Sequence, residues 1–382
     1  MSKRAHGEGT IRKRADGRWE AMITVPQPDG STKRRSIYGK TQAEVRRKLT
    51  EARGTLDKGD ELIANRQTVA QFLDRWLADA ARPTLRPSTL VSYQSKIALY
   101  ILPSLGKHRL TALTPQHIQA MMTAMADRGL SPRSVEYTRA ILRRALNQAL
   151  RWGLVSRNVA ALTNPPRVVK QEIQALTQAQ ARRFLDIVKG DRLEALYAVA
   201  LSLGLRQGEA LGLRWEDVDL DAGEMRVRRT LVKLNGQPFR LSEPKTRQSR
   251  RNLPLTPALI AQLRVHRVRQ LEERLLVGDK WEGEAWGLVF TTPTGGPFSL
   301  HTLIPQFKKH LQRAELPAMR FHDLRHSCAS LLLAQGVHPR VAMEILGHST
   351  ITLTMNTYSH VLPQAQRDAA TLLERALAPA GD

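Results

Sequence analysis

Residues 201–220 read LSLGLRQGEALGLRWEDVDL, an apolar run interrupted by a Gly-Leu-Arg bend. Arg206 and Glu209 lie three residues apart just after this bend. If a helix begins there, the two side chains share one face and the carboxylate can hold the guanidinium in place. Taken alone, the pair is equally consistent with a structural ion pair at a helix end. Its meaning therefore depends on the rest of the chain.

The composition is that of a large, basic protein. Its 382 residues predict two or three domains, because one domain usually takes about 100–200 residues. Lys and Arg number 59 against 35 Asp and Glu, so the net charge is +24, as in nucleic-acid-binding proteins. The charge is +7 over residues 1–66, +11 over 67–170 and +6 over 171–382. A merely solvated basic surface is the alternative, but this spread predicts that each part faces phosphate.

Several classes of protein are excluded at this level. Cys328 is the single cysteine, which rules out an intrachain disulfide and a cysteine-based zinc site. The polar, basic start MSKRAHGEGTIRKR does not resemble a secretory signal, and no apolar run reaches the roughly 18 residues of a membrane-spanning helix. We therefore expect a cytoplasmic protein with no membrane partner.

The first region predicts a small sheet followed by a helix. Short β-prone runs, GTIRKR, WEAMITV and TKRRSIY, are separated by Asp-Gly turn signals. TQAEVRRKLTEARG then begins with a capping box at Thr41 and Glu44 and is expected to end at Gly54. One face of this sheet is predicted to lie against DNA, although a solvated hairpin is the alternative. The candidate DNA-binding residues here are Arg12, Lys13, Arg14, Lys33, Arg34 and Arg35.

Residues 68–162 show helical periodicity in four stretches bounded by Pro, Gly, Ser or Thr. The last stretch, SPRSVEYTRAILRRALNQALRWG, is interpreted as a helix with an apolar side and a basic side. The basic side is assigned to Arg139, Arg143, Arg144 and Arg151, of which the first three are candidate DNA contacts. Only four acidic residues among 67–170 argue against an ordinary mixed surface.

The segment TNPPRVVKQEIQ is typical of a linker, because Pro165 and Pro166 cannot continue a helix. The fold class predicted is mainly α with small β elements (α+β). The predicted domains are a sheet-plus-helix module (1–64), a helical domain (65–165), a linker (166–176) and a mostly helical domain with a small antiparallel sheet (177–382).

Three further stretches of the last region carry polar residues of interest. SEPKTRQSRRNLPL places Lys245 in a predicted turn between two strands, and RFHDLRHSCASLLLAQG places His322 and Arg325 one helical turn apart. LGHSTITLTMNTYSH places His348 beside a helix end at Gly347 and Tyr358 ten residues later. Each could be structural by itself, and a packed tyrosine is the ordinary interpretation of Tyr358.

Zinc is rejected, although His322 and His326 have the four-residue spacing of a zinc-protease helix. The second position is Asp323 instead of Glu, and Arg325 would repel the dication. No metal and no cofactor are expected.

Considered together, the residues suit a phosphodiester. Arg206 and Arg325 can hold the two non-bridging oxygens and neutralise charge that grows in the transition state. His322 and His348 can donate hydrogen bonds or move protons, and Lys245 can protonate the leaving oxygen. A covalent intermediate on Tyr358 would preserve the energy of the broken bond for religation.

At these residues the sequence resembles the tyrosine recombinases, specifically the phage-type integrases. Their ordered pattern of Arg, Lys, His-x-x-Arg, His or Trp, and Tyr is matched by the six residues named in the preceding paragraph, within GLRQGEALGLRWEDVD, FHDLRH and LGHSTITLTMNTYSH. The helical domain resembles the core-binding domain of that family, and the N-terminal module resembles its arm-binding domain. The resemblance also implies that Glu209 supports the active site.

The resemblance implies cleavage of one DNA strand at a time through a 3′-phosphotyrosine, with Tyr358 as nucleophile. It implies double-stranded DNA with core and arm-type attachment sites as partner, a homotetramer on DNA, and room for a host DNA-bending protein and an excision factor. Integration of a phage or other mobile element is the main hypothesis. A dimer-resolving, Xer-like recombinase and a non-cleaving regulator on the same fold are the alternatives.

Overall fold

The computed structural model describes residues 10–26, 32–57, 67–169, 174–234, 237–244 and 247–347. The chain divides into two compact units, 1–170 and 171–382. The division falls within the predicted linker, 166–176. The first unit contains two separate hydrophobic cores, and the second is built around one large core with a small satellite. Assignment of three functional domains remains a prediction.

The first core belongs to a three-stranded antiparallel sheet in the order β1-β2-β3, covered on one face by helix α1. The elements are β1 (Ile11–Lys13), β2 (Trp19–Pro26), β3 (Thr32–Gly39) and α1 (Gln42–Asp57). Alternate residues of β2 point to α1, so that Ala21, Ile23 and Val25 are buried against Val45 and Leu49. The helix continues past Gly54, where the sequence predicts its end, because one glycine costs a helix only about 1 kcal/mol.

The second core belongs to a helical bundle, as the periodicity of 68–162 predicts. Its helices are α2 (Val69–Trp76), α3 (Pro87–Lys96), α4 (Leu102–Leu105), α5 (Pro115–Asp127) and α6 (Pro132–Arg151), with π-helical turns at Leu77–Ala81 and Ile97–Ile101. Capping explains where two of them begin: Thr68 and Thr114 accept hydrogen bonds from backbone N–H groups of the first turns of α2 and α5. The buried faces of all these helices share one apolar cluster.

Helix α6 corrects the assignment of Arg139. Position 139 follows Val135 by four residues and precedes Leu142 by three, so the helical period places it on the buried stripe. Arg139 is only 8% exposed, and its guanidinium donates from Nε to Thr163 Oγ1 at 2.8 Å and from Nη2 to Thr163 O at 2.6 Å. The prediction of an exposed basic residue, available to DNA, was wrong for Arg139. Arg143 and Arg144 are exposed.

The second unit is mostly helical. Its helices are α7 (Gln178–Ile187), α8 (Glu194–Leu203), α9 (Gln207–Leu211), α10 (Pro257–Val277), α11 (Leu300–Arg313), α12 (Asp323–Ala334) and α13 (Pro339–Leu346). Its strands are β4 (Val218–Asp219), β5 (Glu224–Val227), β6 (Thr230–Val232), β7 (Arg240–Ser242) and β8 (Arg251–Pro254), which form sheets β4-β5-β8 and β6-β7, both antiparallel. Residues 287–292, GLVFTT, are β-prone in sequence but form isolated bridges at Leu288 and Thr291 instead of a strand.

These observations confirm the predicted fold class, mainly α with small antiparallel sheets. Helix α8 is the centre of the second unit: eight of its ten residues are buried, and it packs against α10 and α12. Because α8 is buried on nearly every side, its C-terminal end is held firmly, and the bend quoted at the start follows directly after it. Among the helices in the described ranges, none is both long enough and apolar enough to cross a lipid bilayer.

Candidate active site

The bend after α8 places Arg206 and Glu209 together. Arg206 is the N-cap residue of α9, and its backbone N–H donates to Glu209 Oε2 at 3.1 Å. Its side-chain Nη1 donates to Glu209 Oε1 at 2.7 Å, so the contact predicted from the three-residue spacing is confirmed. Glu209 is 3% exposed, whereas about a third of the Arg206 side chain is accessible. The carboxylate is thus an internal support for a guanidinium that reaches the surface.

Two distant segments also bind the Arg206 guanidinium. Nη1 donates to Ser249 Oγ at 3.0 Å, in the segment before β8, and Nη2 donates to the carbonyl oxygen of Gly347 at 2.9 Å, at the end of α13. The side chain therefore joins three parts of the unit that are far apart in sequence. A guanidinium held in this way presents its donors in a fixed direction, as recognition of a phosphate requires.

Arg251 is a member of this cluster that the sequence predictions missed. Its Nη1 and Nη2 donate to Glu209 Oε2 at 3.2 and 3.3 Å, and its Nε donates to Ile345 O at 2.6 Å. Burial alone would raise the pKa of the Glu209 carboxyl, but Arg251 and Arg206 outweigh burial and lower that pKa. Strand alternation could have predicted that Arg251 points inwards, since position 251 lies on the same side of β8 as the buried Leu253.

Helix α12 supplies the second predicted arginine. Arg325 is 2% exposed, and its Nη1 donates to Gly204 O at 2.6 Å, at the C-terminal end of α8. Its Nη2 is buried and has no hydrogen-bond partner among the described residues. Burial, followed by the positive charge of Arg206, lowers the pKa of Arg325 to about 9. The guanidinium is still protonated at neutral pH, so the site holds a buried positive charge whose Nη2 no described residue satisfies, and an anion would supply the missing acceptor.

His322 occupies the N-cap position of α12, one turn before Arg325, and its side chain makes no capping hydrogen bond. Burial, with smaller contributions from His326 and Arg325, lowers its pKa to about 4, so the imidazole is neutral at pH 7. A neutral imidazole can still donate one hydrogen bond to a phosphate oxygen. Asp323 is engaged with Arg320, which donates from its backbone N–H at 2.8 Å and from Nη2 at 2.7 Å. Within the described ranges, no three His, Cys, Asp or Glu side chains are grouped as metal ligands.

Two glycines allow the arginines to reach backbone carbonyls at helix ends. Gly204 and Gly347 have φ of 58° and 63°, a left-handed conformation that closes α8 and α13. A Cβ at position 204 would collide with Leu346 Cδ2, and one at 347 would lie 2.9 Å from Gln248 O. The closure of α13 near Gly347, predicted from the sequence, is confirmed. The two helix ends thus pack closely, and their carbonyls accept from Arg325 and Arg206.

The described residues bring together Arg206, Glu209, His322 and Arg325. The predicted Lys245, His348 and Tyr358 lie outside the described residues, as does the whole of the C-terminal segment 367–382. Their roles therefore remain predictions.

The candidate DNA-binding residues of the sheet divide between its two faces. By strand alternation Arg12 and Arg34 lie on the open face, whereas Lys13 and Arg35 lie on the side of the sheet that α1 covers. On the open face, Arg12 Nη2 pairs with Glu20 Oε2 at 2.8 Å, and Arg14 stacks over the half-exposed ring of Tyr38. Nothing is described of the Lys33 side chain. The basic residues whose side chains are described therefore do not form one continuous face.

Comparison with known proteins agrees with this geometry. The profile of the phage integrase family matches residues 174–365, and the profile of the phage integrase N-terminal SAM-like domain matches residues 68–126. A tyrosine recombinase XerC-like protein of Caldanaerobacter subterraneus subsp. tengcongensis is 31% identical over 93% of this chain and 95% of its own. An integrase of Saccharopolyspora erythraea is 26% identical over 97% of both chains.

Solved structures show the same fold. The Tn1549 transposon integrase in complex with a circular intermediate DNA aligns with a TM-score of 0.68, at 20% identity, over 80% of this chain and 99% of that one. A lambda integrase tetramer bound to a Holliday junction aligns with a TM-score of 0.58, at 19% identity, over 93% and 96%.

The chain belongs to the phage integrase family. It is a tyrosine-type site-specific recombinase, as the sequence resemblance predicts, and this assignment holds over a non-cleaving regulator.

Proposed function

We propose that this recombinase is the integrase of a phage or another mobile element, acting in the cytoplasm on chromosomal DNA. It cuts and rejoins one strand at a time through a 3′-phosphotyrosine on Tyr358. The observation that carries this proposal is the buried guanidinium of Arg325, whose Nη2 has no partner in the described part of the chain, beside the positive charge of Arg206. Buried positive charge of this kind, with a donor that no described residue satisfies, fits a phosphodiester whose negative charge grows during attack.

The remaining roles follow the same chemistry. Arg206 and Arg325 hold the non-bridging oxygens, and neutral His322 donates a hydrogen bond to one of them. Lys245 protonates the departing 5′ oxygen, and His348 assists at the phosphate. Because the protein–DNA bond stores the energy of the broken phosphodiester, the 5′-hydroxyl can reverse the step with no added energy source.

DNA binding is assigned to both parts of the first unit. Arg12, Arg14 and Arg34 near the open face of the sheet are proposed to contact arm-type sites, and exposed Arg143 and Arg144 of α6 are proposed to contact the core site. Lys13 and Arg35, on the side of the sheet that α1 covers, are weaker candidates. Lys33 remains a candidate from the sequence alone. Two DNA-binding modules favour an integrase over a dimer-resolving recombinase, because simultaneous binding to arm and core sites raises effective concentration and can give the reaction a direction.

The working assembly is proposed to be a homotetramer on DNA. The lambda integrase structure, solved as a tetramer on a Holliday junction, supports this proposal by its similar fold. A host DNA-bending protein and an excision factor are proposed as accessory partners, since arm and core sites on one duplex meet only if the DNA bends.

A nicked duplex carrying the junction between the element and the chromosome tests the proposal. The nick lets the short 5′-hydroxyl fragment diffuse away, so the wild type should accumulate a covalent protein–DNA adduct that resists denaturation. Tyr358→Phe should reduce the adduct to background and bind the duplex within about twofold of wild type, because only one hydroxyl is removed.

Two outcomes would contradict the proposal. A wild type that forms no adduct on its own junction would exclude strand cleavage. Loss of DNA binding together with the adduct in Tyr358→Phe would make the tyrosine structural.

A further inference from the structure

Arg251 makes a set of contacts that no sequence motif anticipates. Its side chain is 7% exposed, and it donates to three parts of the second unit. Nε donates to Ile345 O at 2.6 Å in α13, Nη1 donates to Ser249 O at 3.1 Å, and both terminal nitrogens donate to Glu209 Oε2. Every nitrogen of this guanidinium therefore has a protein acceptor, which leaves Arg251 unsuited to binding DNA directly.

The contacts of Arg251 duplicate those of Arg206. Both guanidiniums bind Glu209 and Ser249. Both also bind a carbonyl oxygen at the end of the α13 segment, Arg251 at Ile345 O and Arg206 at Gly347 O. The difference is in exposure, because Arg206 reaches solvent and Arg251 does not. Two arginines thus hold the same three segments together, one from inside and one at the surface where substrate arrives.

We propose that Arg251 is a positioning residue for strand cleavage, acting through Glu209 and the end of α13 to keep the Arg206 guanidinium aimed at the scissile phosphate. The inference rests on the proposed function, since it assigns Arg206 to that phosphate. Such a residue affects the reaction more than the binding of DNA, because many phosphate contacts elsewhere support binding. A displacement of about 1 Å at the reacting centre can cost about 10²-fold in rate.

The charges around Glu209 also indicate that Arg251 supports strand cleavage. Glu209 shares one negative charge between two guanidiniums, so Arg206, Arg251 and Glu209 together carry one positive charge. Without Arg251, Glu209 would face Arg206 alone and neutralise it, and both carboxylate oxygens would draw the guanidinium inwards. The site would then lose positive charge where the transition state needs it.

Arg251→Met and Arg251→Lys, made in the full chain, test the inference on the nicked junction duplex at saturating DNA. Arg192→Met is the matched control: Arg192 is a largely buried arginine of the same unit, and its Nε and Nη2 donate to Glu273 at 2.5 and 2.6 Å. Rates are compared well below each variant's melting temperature, and DNA affinity is measured separately.

We expect Arg251→Met to form the adduct about 10²-fold more slowly, with DNA affinity within about threefold of wild type. Arg251→Lys should recover part of the rate, since it restores the charge beside Glu209 but one ammonium cannot reach all the acceptors. Arg192→Met should cleave within about twofold of wild type. If Arg251→Met does not fold, the Lys variant carries the test by the same comparison.

A double-mutant cycle separates positioning from general packing. If Arg251 acts through Glu209, then Glu209→Gln combined with Arg251→Met should cleave about as slowly as the worse single variant. Multiplying effects would overturn the inference, as would normal cleavage by Arg251→Met or an equal loss in Arg192→Met. A wild type without an adduct would overturn the proposed function as well, so the two failures are distinguishable.

Discussion

Two buried arginines, one in each unit, have nearly the same exposure and opposite surroundings. Arg139 in the helical bundle is 8% exposed, and its Nε and Nη2 both donate to Thr163. Arg325 in the second unit is 2% exposed and donates to Gly204 O, while its Nη2 has no partner within the described ranges. Burial by itself therefore does not distinguish an arginine that stabilises the fold from one that serves a ligand; the unsatisfied donor does.

The neighbouring charges sharpen this contrast. Burial lowers the pKa of both side chains, and at Arg139 the next contribution comes from Arg143. At Arg325 the next contribution comes from Arg206, and the pKa falls to about 9. The positive charges of Arg206 and Arg251 both lower the pKa of Arg325, and Glu209, with a smaller contribution from Cys328, opposes them. The described residues around Arg325 thus carry a net positive charge, which a bound anion would offset.

Replacement of Arg325 by Met should have the largest effect. Adduct formation on the nicked junction duplex should fall by about 10³-fold, because the transition state loses a preorganised charged donor. The free energy of unfolding without DNA should change by no more than about 1 kcal/mol, because removal of a buried charge with an unsatisfied donor offsets the hydrogen bond lost at Gly204 O. Adduct kinetics and urea unfolding measure the two effects.

For the comparison to hold, Arg325→Met must lose adduct formation while its free energy of unfolding is retained. Arg325→Met that loses stability as well as cleavage would show that the Arg325 side chain supports the fold as Arg139 does.

Replacement of Arg139 by Met should give the opposite pattern. The free energy of unfolding should fall by about 2 to 3 kcal/mol, because the variant loses two charge-assisted hydrogen bonds and leaves Thr163 O unpaired in the interior. Cleavage at saturating DNA and DNA affinity should remain within about twofold of wild type. Weaker DNA binding at unchanged stability would instead restore the sequence-based assignment of Arg139 to the DNA-binding face.

Arg139 also shows where the sequence misleads. Four basic residues in one helix suggest a basic face, yet the positions of Val135 and Leu142 place Arg139 on the apolar stripe. The composition indicates only that the helix is basic, whereas the helical period determines on which side of the helix each residue lies. The same period correctly predicted that Glu209 would meet Arg206, because a three-residue separation is local.

Arg251 shows the other limit. Its partners Glu209 and Ile345 lie 42 and 94 residues away, and no local spacing encodes such contacts. Alternation in β8 indicates the direction of the side chain but not what it meets. Long-range convergence of this kind could be inferred for Arg206 and Arg325 only because a family pattern relates them.

The smallest predicted effect concerns His322. The lowered pKa of this imidazole implies that little water reaches it beside Arg325, and the pH dependence of stability tests this. The native state holds this imidazole neutral, with a pKa of about 4, whereas the unfolded chain takes up a proton near pH 6.5. Stability from this residue is therefore present above pH 6.5 and is lost as the pH falls from 6.5 towards 4. Burial is the largest cause of this pKa shift. The imidazole also interacts electrostatically with His326, Arg325, Asp323 and Arg206.

His322→Asn should flatten this dependence. Between pH 7.5 and 4.5 the wild type should lose about 1 to 2 kcal/mol more of its free energy of unfolding than the variant, by urea unfolding without DNA. Carboxylates and histidines that do not interact with His322 titrate alike in both proteins, so their contributions cancel in the difference. If wild type and variant lose equal stability, water enters the pocket before DNA does. Arg325 Nη2 would then be hydrated, and its contrast with Arg139 would rest on the neighbouring charges alone.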